Sequence, residues 1–110
     1  MTLLHLIKFC RYIIEDLLTG GDLSSYIAQE GSCLEEEDAC NKGYQIIKAL
    51  EYVHDKAIVH RDLKPENVLL SVPSVSARIV LTDFGGATGN LRAGVRRLKS
   101  LCGTAGYIAP

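Results

Sequence analysis

Residues 60–67 read His60-Arg61-Asp62-Leu63-Lys64-Pro65-Glu66-Asn67, and Asp83-Phe84-Gly85 begins sixteen residues after Asn67. This pair of runs restricts the chain more than any other feature. Between them lie Val68-Leu69-Leu70 and Ile79-Val80-Leu81-Thr82, which read as two short strands joined by the Ser- and Pro-containing stretch Ser71 to Ala77. Asp62 can take a proton, Lys64 is a cation beside it, and Asn67 and Asp83 offer the oxygen donors that a hard cation takes. Taken singly, each has a bland reading: an Asp before a Leu is usually a surface loop residue, and Asp-Phe-Gly is usually a turn. Eleven specified residues in this order and at this spacing leave that reading little room.

The flanking pattern alternates between helix and strand. Tyr12-Ile13-Ile14-Glu15 is β-leaning, and Thr19-Gly20-Gly21 breaks it. Asp22 can then cap a short helix whose apolar positions Leu23, Tyr26 and Ile27 fall at i, i+3 and i+4, with Gly31 ending it. Ser32-Cys33-Leu34-Glu35 fits a capping box, and Glu35-Glu36-Glu37-Asp38 puts negative charge on the first turn of a second helix. That helix carries Ala39, Ile46, Ala49, Leu50 and Val53 on one face and is expected to end near His54 to Lys56. Gly43 inside it costs about 1 kcal/mol relative to Ala. Ile58-Val59 has room only for a bridge-like strand. From Asp83 to Pro110 no period of 2 or 3.6 survives.

Twelve Lys and Arg against thirteen Asp and Glu give a net charge of −1, which offers a polyanionic partner nothing. Arg92, Arg96, Arg97 and Lys99 lie without interleaved aromatics and read as a solvated loop, so no nucleic acid is expected. Cys10, Cys33, Cys40 and Cys102 form no C-x-x-C pair and no metal-ligand spacing, which points to reduced thiols in an intracellular protein of the cytoplasm or nucleus. Leu3 to Ile7 is too short for a signal core, and no apolar run approaches a bilayer span, so no membrane is expected.

On these two runs the chain resembles a eukaryotic-type Ser/Thr protein kinase catalytic domain, from about Arg11 to the last residue. The resemblance implies an α+β, partial protein-kinase fold. Residues 1–17 would be a remnant of N-lobe strands and hinge. Residues 18–110 would be a partial, mainly helical C-lobe with catalytic loop, two short strands and an activation segment. Ile108-Ala109-Pro110 stops inside the Ala-Pro-Glu signature, one residue before its Glu, and no G-x-G-x-x-G loop or V-A-x-K strand precedes. The expectation is therefore less than half of a catalytic domain, unable to transfer phosphate alone.

By the same resemblance, Asp62 is the catalytic base and Lys64 the cation that meets the γ-phosphate of ATP. Asn67 and Asp83 are the Mg2+ ligands. Lys64 also points to Ser or Thr as acceptor. Glu15 and Leu17 fall where the hinge meets the adenine edge, Ile14 at the gatekeeper, Leu69 at the pocket floor and Thr82 just ahead of Asp83. For the apolar members, ordinary core packing is an equal alternative. Asp22 and Glu66 stand where an Arg upstream of a protein substrate's acceptor is bound, or else serve as a helix cap and a solvated carboxylate. Thr104 belongs to the substrate-facing loop. Ser100 falls at an activating phosphorylation site for an upstream kinase, with Arg61 as the cation that pairs with the phosphate. The flavour is nearest the calcium/calmodulin-dependent and checkpoint-like group, from Gly20-Gly21-Asp22 and Leu101-Cys102-Gly103-Thr104. Gly86 departs from the family's larger apolar residue. Two rival readings are a non-catalytic truncated polypeptide and a small-molecule phosphotransferase of kinase-like fold, which normally lacks Lys64-Pro65-Glu66.

Overall fold

The structure, a computed structural model, describes residues 3–7, 10–89 and 102–108. Strands β1 (Leu3–Ile7) and β2 (Cys10–Ile14) pair antiparallel, Leu3 opposite Ile14 and Ile7 opposite Cys10. The faint apolar run at the N-terminus is thus a strand. After the breaker come α1 (Leu23–Gln29) and α2 (Glu36–Asp55), then β3 (Val68–Leu70) and β4 (Ile79–Leu81), again antiparallel. Single 3-10 turns at Pro65–Asn67 and Phe84–Gly86 lie on either side of this second hairpin. The mixture of helices with small antiparallel sheets is that expected for a partial protein-kinase fold.

Local chemistry explains most boundaries. Asp22 caps α1 by accepting from the Ser25 backbone N–H at 2.8 Å and from the Ser25 hydroxyl at 2.8 Å, which satisfies donors a helix start leaves orphaned. The expected capping box of α2 does not form. Ser32 takes a positive φ of 67° and its N–H donates to the Ile27 carbonyl, so it closes α1. Glu35 stands at the start of α2 without a side-chain cap bond, and Glu36, Glu37 and Asp38 supply the acidic first turn. Val59 bridges Thr88, as short an element as its two apolar residues allow.

One core joins these pieces. Leu23 and Tyr26 of α1 meet Val68, Leu70, Ala77 and Ile79 of the β3–β4 hairpin, with Ile27, Leu34, Ile46, Leu63 and Leu81 packed around them. Leu70 is fully buried. Burying a side chain of that size contributes about 1.5–3 kcal/mol. Ile46, Ala49, Leu50 and Val53 are half-buried on the expected face of α2, whereas Ala39 is exposed. Lys42 is instead the buried residue of that helix.

Thr19-Gly20-Gly21 does more than break a strand. The Thr19 and Gly20 N–H groups donate to the Ser71 and Leu70 carbonyls, and the Leu70 N–H donates back to Gly21. The segment leaving β2 is therefore tied to β3, which keeps residues 15–18 beside the hairpin.

Candidate functional site

The site is built on the two ends of one hairpin. Asn67 immediately precedes β3 and Asp83 follows β4 by two residues. The Thr82 N–H donates to the Asn67 carbonyl at 3.0 Å, extending the ladder to the loops themselves. Between these loops sits His60, buried at 2% exposure. Its Nδ1 accepts from the Asp62 N–H at 3.3 Å, leaving Nε2 to donate to the Thr82 carbonyl at 2.8 Å. The Phe84 ring lies 4.6 Å from the imidazole, tilted by 57°. His60 thus joins the loop of Asp62 to the loop of Asp83.

Two residues here hold a conformation that L side chains rarely adopt. Arg61 has φ 70° and Asp83 φ 58°, an arrangement that persists only where the surroundings enforce it and that clusters at functional sites. The Arg61 Nε donates to the Gly86 carbonyl, a second tie between the loops. Cys102 Sγ would lie 3.3 Å from a Cβ placed on Gly86. Glycine at this position leaves room for that sulfur.

Asp62 is the electrostatic centre. Its Oδ2 accepts from Lys64 Nζ at 3.0 Å and from Asn67 Nδ2 at 3.2 Å, while Asn67 Nδ2 also donates to the Asp62 carbonyl at 2.8 Å. Its Oδ1 accepts from the Thr104 hydroxyl at 2.6 Å, and that hydroxyl accepts from Lys64 Nζ at 2.7 Å. The Thr104 bond first, and then Lys64, hold the Asp62 carboxyl down at about 2. Lys64 is pushed the other way, chiefly by its bond to Asp62. Such charge-assisted bonds are the strong ones. Because both donors of the Asn67 amide group face Asp62, its carbonyl oxygen remains to serve as a ligand. Asp83 is exposed and its carboxylate accepts from the Gly85 N–H at 3.4 Å.

Among the described residues no group of three His, Cys, Asp or Glu side chains converges as a metal site. Mg2+ that shares its shell with phosphate and water needs only one or two protein oxygens. The Asp83 carboxylate and the Asn67 side-chain amide oxygen fit that need.

A cavity of about 960 Å3 opens beside this centre, walled by Ile13, Glu15, Leu17, Leu69, Thr82 and Asp83 among others. Four expected residues besides Asp83 are therefore on its wall: Glu15, Leu17, Leu69 and Thr82. Ile14 is not. Its neighbours Ile13 and Glu15 line the cavity in its place, Ile13 and Ile14 being successive residues of β2 whose side chains leave opposite faces of the strand. Asp22 uses both carboxylate oxygens to cap α1. Glu66 is exposed and contributes to raising Lys64. Ser100 lies outside the described residues. Sequence reasoning had no role for buried His60 or Lys42, although His60 stands in the strongest motif of the chain.

The model of the protein kinase domain matches residues 8–110. The chain is 47% identical over 102 residues to "Meiosis-specific serine/threonine-protein kinase MEK1" of Saccharomyces cerevisiae, covering 90% of this chain and 20% of that protein. It is 41% identical over 99 residues to the calcium/calmodulin-dependent protein kinase type 1 of Macrobrachium nipponense, and 42% identical over 99 residues to the type 1B kinase of Homo sapiens. Each of these alignments covers 90% of this chain and 28% of the relative. The chain thus spans between a fifth and three tenths of the relatives it matches.

Proposed function

The chain belongs to the protein kinase domain family, and from that premise we propose that its protein transfers the γ-phosphoryl group of ATP to Ser and Thr hydroxyls of other proteins. One observation carries the reading: Asp62 holds Lys64 and Asn67 on one carboxylate oxygen and accepts an alcohol, that of Thr104, on the other. A side chain of the acceptor's own chemistry already satisfies this carboxylate.

A carboxylate held at about 2 is a weak base. It cannot strip an alcohol in advance, so its work is to orient the hydroxyl and to take its proton as the new oxygen–phosphorus bond forms and the bond from the γ-phosphorus to the ADP oxygen breaks, releasing ADP. Lys64, bonded to Asp62 and raised by it, stays protonated and brings positive charge to where the phosphoryl group crosses. Asn67 and Asp83 would hold Mg2+, which when bound neutralises charge on the phosphate oxygens. The 960 Å3 cavity would take the nucleoside, with Leu69 against the base and Glu15 and Leu17 at its edge. Asp22 and Glu66 would favour a substrate with an upstream Arg, and Ser100 would be phosphorylated by an upstream kinase. The exposed thiols of Cys33, Cys40 and Cys102 suit a reducing setting, the cytoplasm or nucleus. No helix among the described residues is long and apolar enough to cross a membrane.

The test is phosphate transfer from labelled ATP by the full-length protein to peptides that differ only in a Ser, Thr or Tyr acceptor. Label should enter the Ser and Thr peptides, more when Arg lies upstream, and Asp62→Asn should remove it. Absence of transfer by the unaltered protein, or undiminished transfer by Asp62→Asn, would sink the reading.

A further inference from the structure

Lys42 has no part in the chemistry above, yet it is the most deeply buried cation among the described residues, at 2% exposure. Its ammonium donates to Asp38 one turn back, whose side chain is itself 10% exposed. It also donates to the Val75 carbonyl at 3.1 Å and lies 4.6 Å from the centre of the Tyr26 ring. The Tyr26 hydroxyl in turn donates to Asp38 Oδ2 at 3.2 Å. The cluster therefore takes one member from α1, two from α2 and one from the turn between β3 and β4. A buried ion pair is a poor source of stability compared with apolar side chains of the same volume. Its position calls for another account.

The Val75 bond supplies one. Three residues along α2, the Gln45 Oε1 accepts the Ile79 N–H at 2.9 Å. Side chains one helical turn apart thus hold the hairpin at two points, its turn and the start of β4. From there the ladder runs without a break through Ser71/Arg78, Leu70/Ile79, Leu69/Val80 and Val68/Leu81 to the bond between Thr82 and Asn67. A tilt imposed at the turn is carried to Asn67 and Asp83 over about 10 Å of paired strand. We propose that Lys42 is a positioning residue that sets the spacing of the two metal-holding loops by clamping the β3–β4 turn to α2. For its catalytic consequence this rests on the phosphotransfer reading above.

Stability and position can be separated. Lys42→Met leaves Asp38 buried without its cation, which destabilises the fold; Lys42→Met combined with Asp38→Asn removes both charges while keeping an acceptor for Tyr26. Both variants lack the ammonium that the Val75 carbonyl accepts from, so the clamp is open in both. In the full-length protein, the paired variant should recover most of the thermal stability lost by Lys42→Met. It should still require about three- to tenfold more Mg2+ for half-maximal turnover, a coupling of ordinary size, with KM for the acceptor peptide unchanged. Amide exchange at Thr82 should accelerate in both variants. Recovery of the wild-type Mg2+ requirement together with stability would reduce Lys42 to a structural role and overturn the proposal. Unchanged exchange at Thr82 would overturn it as well, whether or not the protein proves active. If the unaltered protein transfers no phosphate while Thr82 exchange is accelerated in the stability-restored paired variant, the phosphotransfer reading fails and the clamp stands.

Discussion

Gly20 and Gly21 are adjacent, and alanine should be costly at both for unrelated reasons. A Cβ on Gly20 would lie 2.4 Å from the Val72 carbonyl oxygen, 2.6 Å from Leu70 Cβ and 2.7 Å from the Leu70 carbonyl oxygen. Ordinary carbon contacts lie at about 3.5–4.0 Å, so β3 would have to withdraw by about 1 Å. Two of the three obstructing atoms are backbone and the third belongs to a fully buried leucine; none can swing away. Withdrawal strains the bonds from Thr19 and Gly20 to Ser71 and Leu70, and the return bond from Leu70 to Gly21. At about 0.5–1.5 kcal/mol for each bond, with about 1–3 kcal/mol for overpacking, Gly20→Ala should destabilise by about 2.5–7.5 kcal/mol. That is a large share of the 5–15 kcal/mol, roughly, that holds a typical domain folded. Gly21 has open space around its Cβ position but a φ of +71°. There alanine should cost about 1–2 kcal/mol, and asparagine less, because only the left-handed conformation is at issue. Urea unfolding of the full-length protein followed by circular dichroism reads both. Since Gly20 also holds Glu15 and Leu17 beside the hairpin, its variant should weaken nucleotide binding, while Gly21→Asn should not. A Gly20→Ala variant no less stable than Gly21→Ala would refute the close-approach argument.

Asp62→Asn should lower kcat by about 10²–10⁴-fold with nucleotide affinity nearly intact, whereas Asp83→Asn should raise the Mg2+ and ATP needed; equal losses of nucleotide affinity in a titration would reverse the assignments. Asp62 is depressed from an ordinary 3.8 to about 2, so its contribution to stability is fully present above pH 3.8 and disappears as pH falls through about 2. No acidic limb of the kcat profile near pH 5–7 should therefore trace to Asp62, and Thr104→Val, by removing the largest cause, should move its carboxyl resonance midpoint back toward 3.8 in an NMR titration. A midpoint unchanged by Thr104→Val would contradict the bonding described. Leu70→Ala, at a fully buried position, should cost about 2–5 kcal/mol in the same urea assay, and a loss below 1 kcal/mol, roughly, would place Leu70 outside the core.

Much of this arrangement was legible along the chain. Val68 to Leu70 and Ile79 to Leu81 are short apolar runs between polar breaks, and they form the hairpin they suggest. Asp22 ahead of Leu23 caps α1 because a carboxylate three residues before an orphan N–H can reach it without tertiary help. The Asp62 and Asp83 runs carried the resemblance to the protein kinase family, which the match over residues 8–110 bears out. Ser32 shows where such local reasoning fails. Two helix ends compete for one residue, and the chain reversal after Gly31 gave it to α1.

Other features were decided only when distant segments met. Thr104 reaches Asp62 across forty-two residues of sequence, and it dominates the carboxyl's acidity. No pattern near Asp62 announces that hydroxyl. Ile14 and Ile13 are equally apolar, and only the facing of the strand chose Ile13 for the cavity. Lys42 reads as one more charge on a polar helix. It is buried because Asp38, Tyr26 and Val75 surround it from three elements, and a cation leaves water only where such partners are already assembled. Capping, period and motif act within a few residues, so the sequence alone determined the elements and the chemical groups. Burial and long-range hydrogen bonds depend on what packs opposite, so the acidity of Asp62, the cavity wall and the grip on the hairpin were left to the tertiary structure.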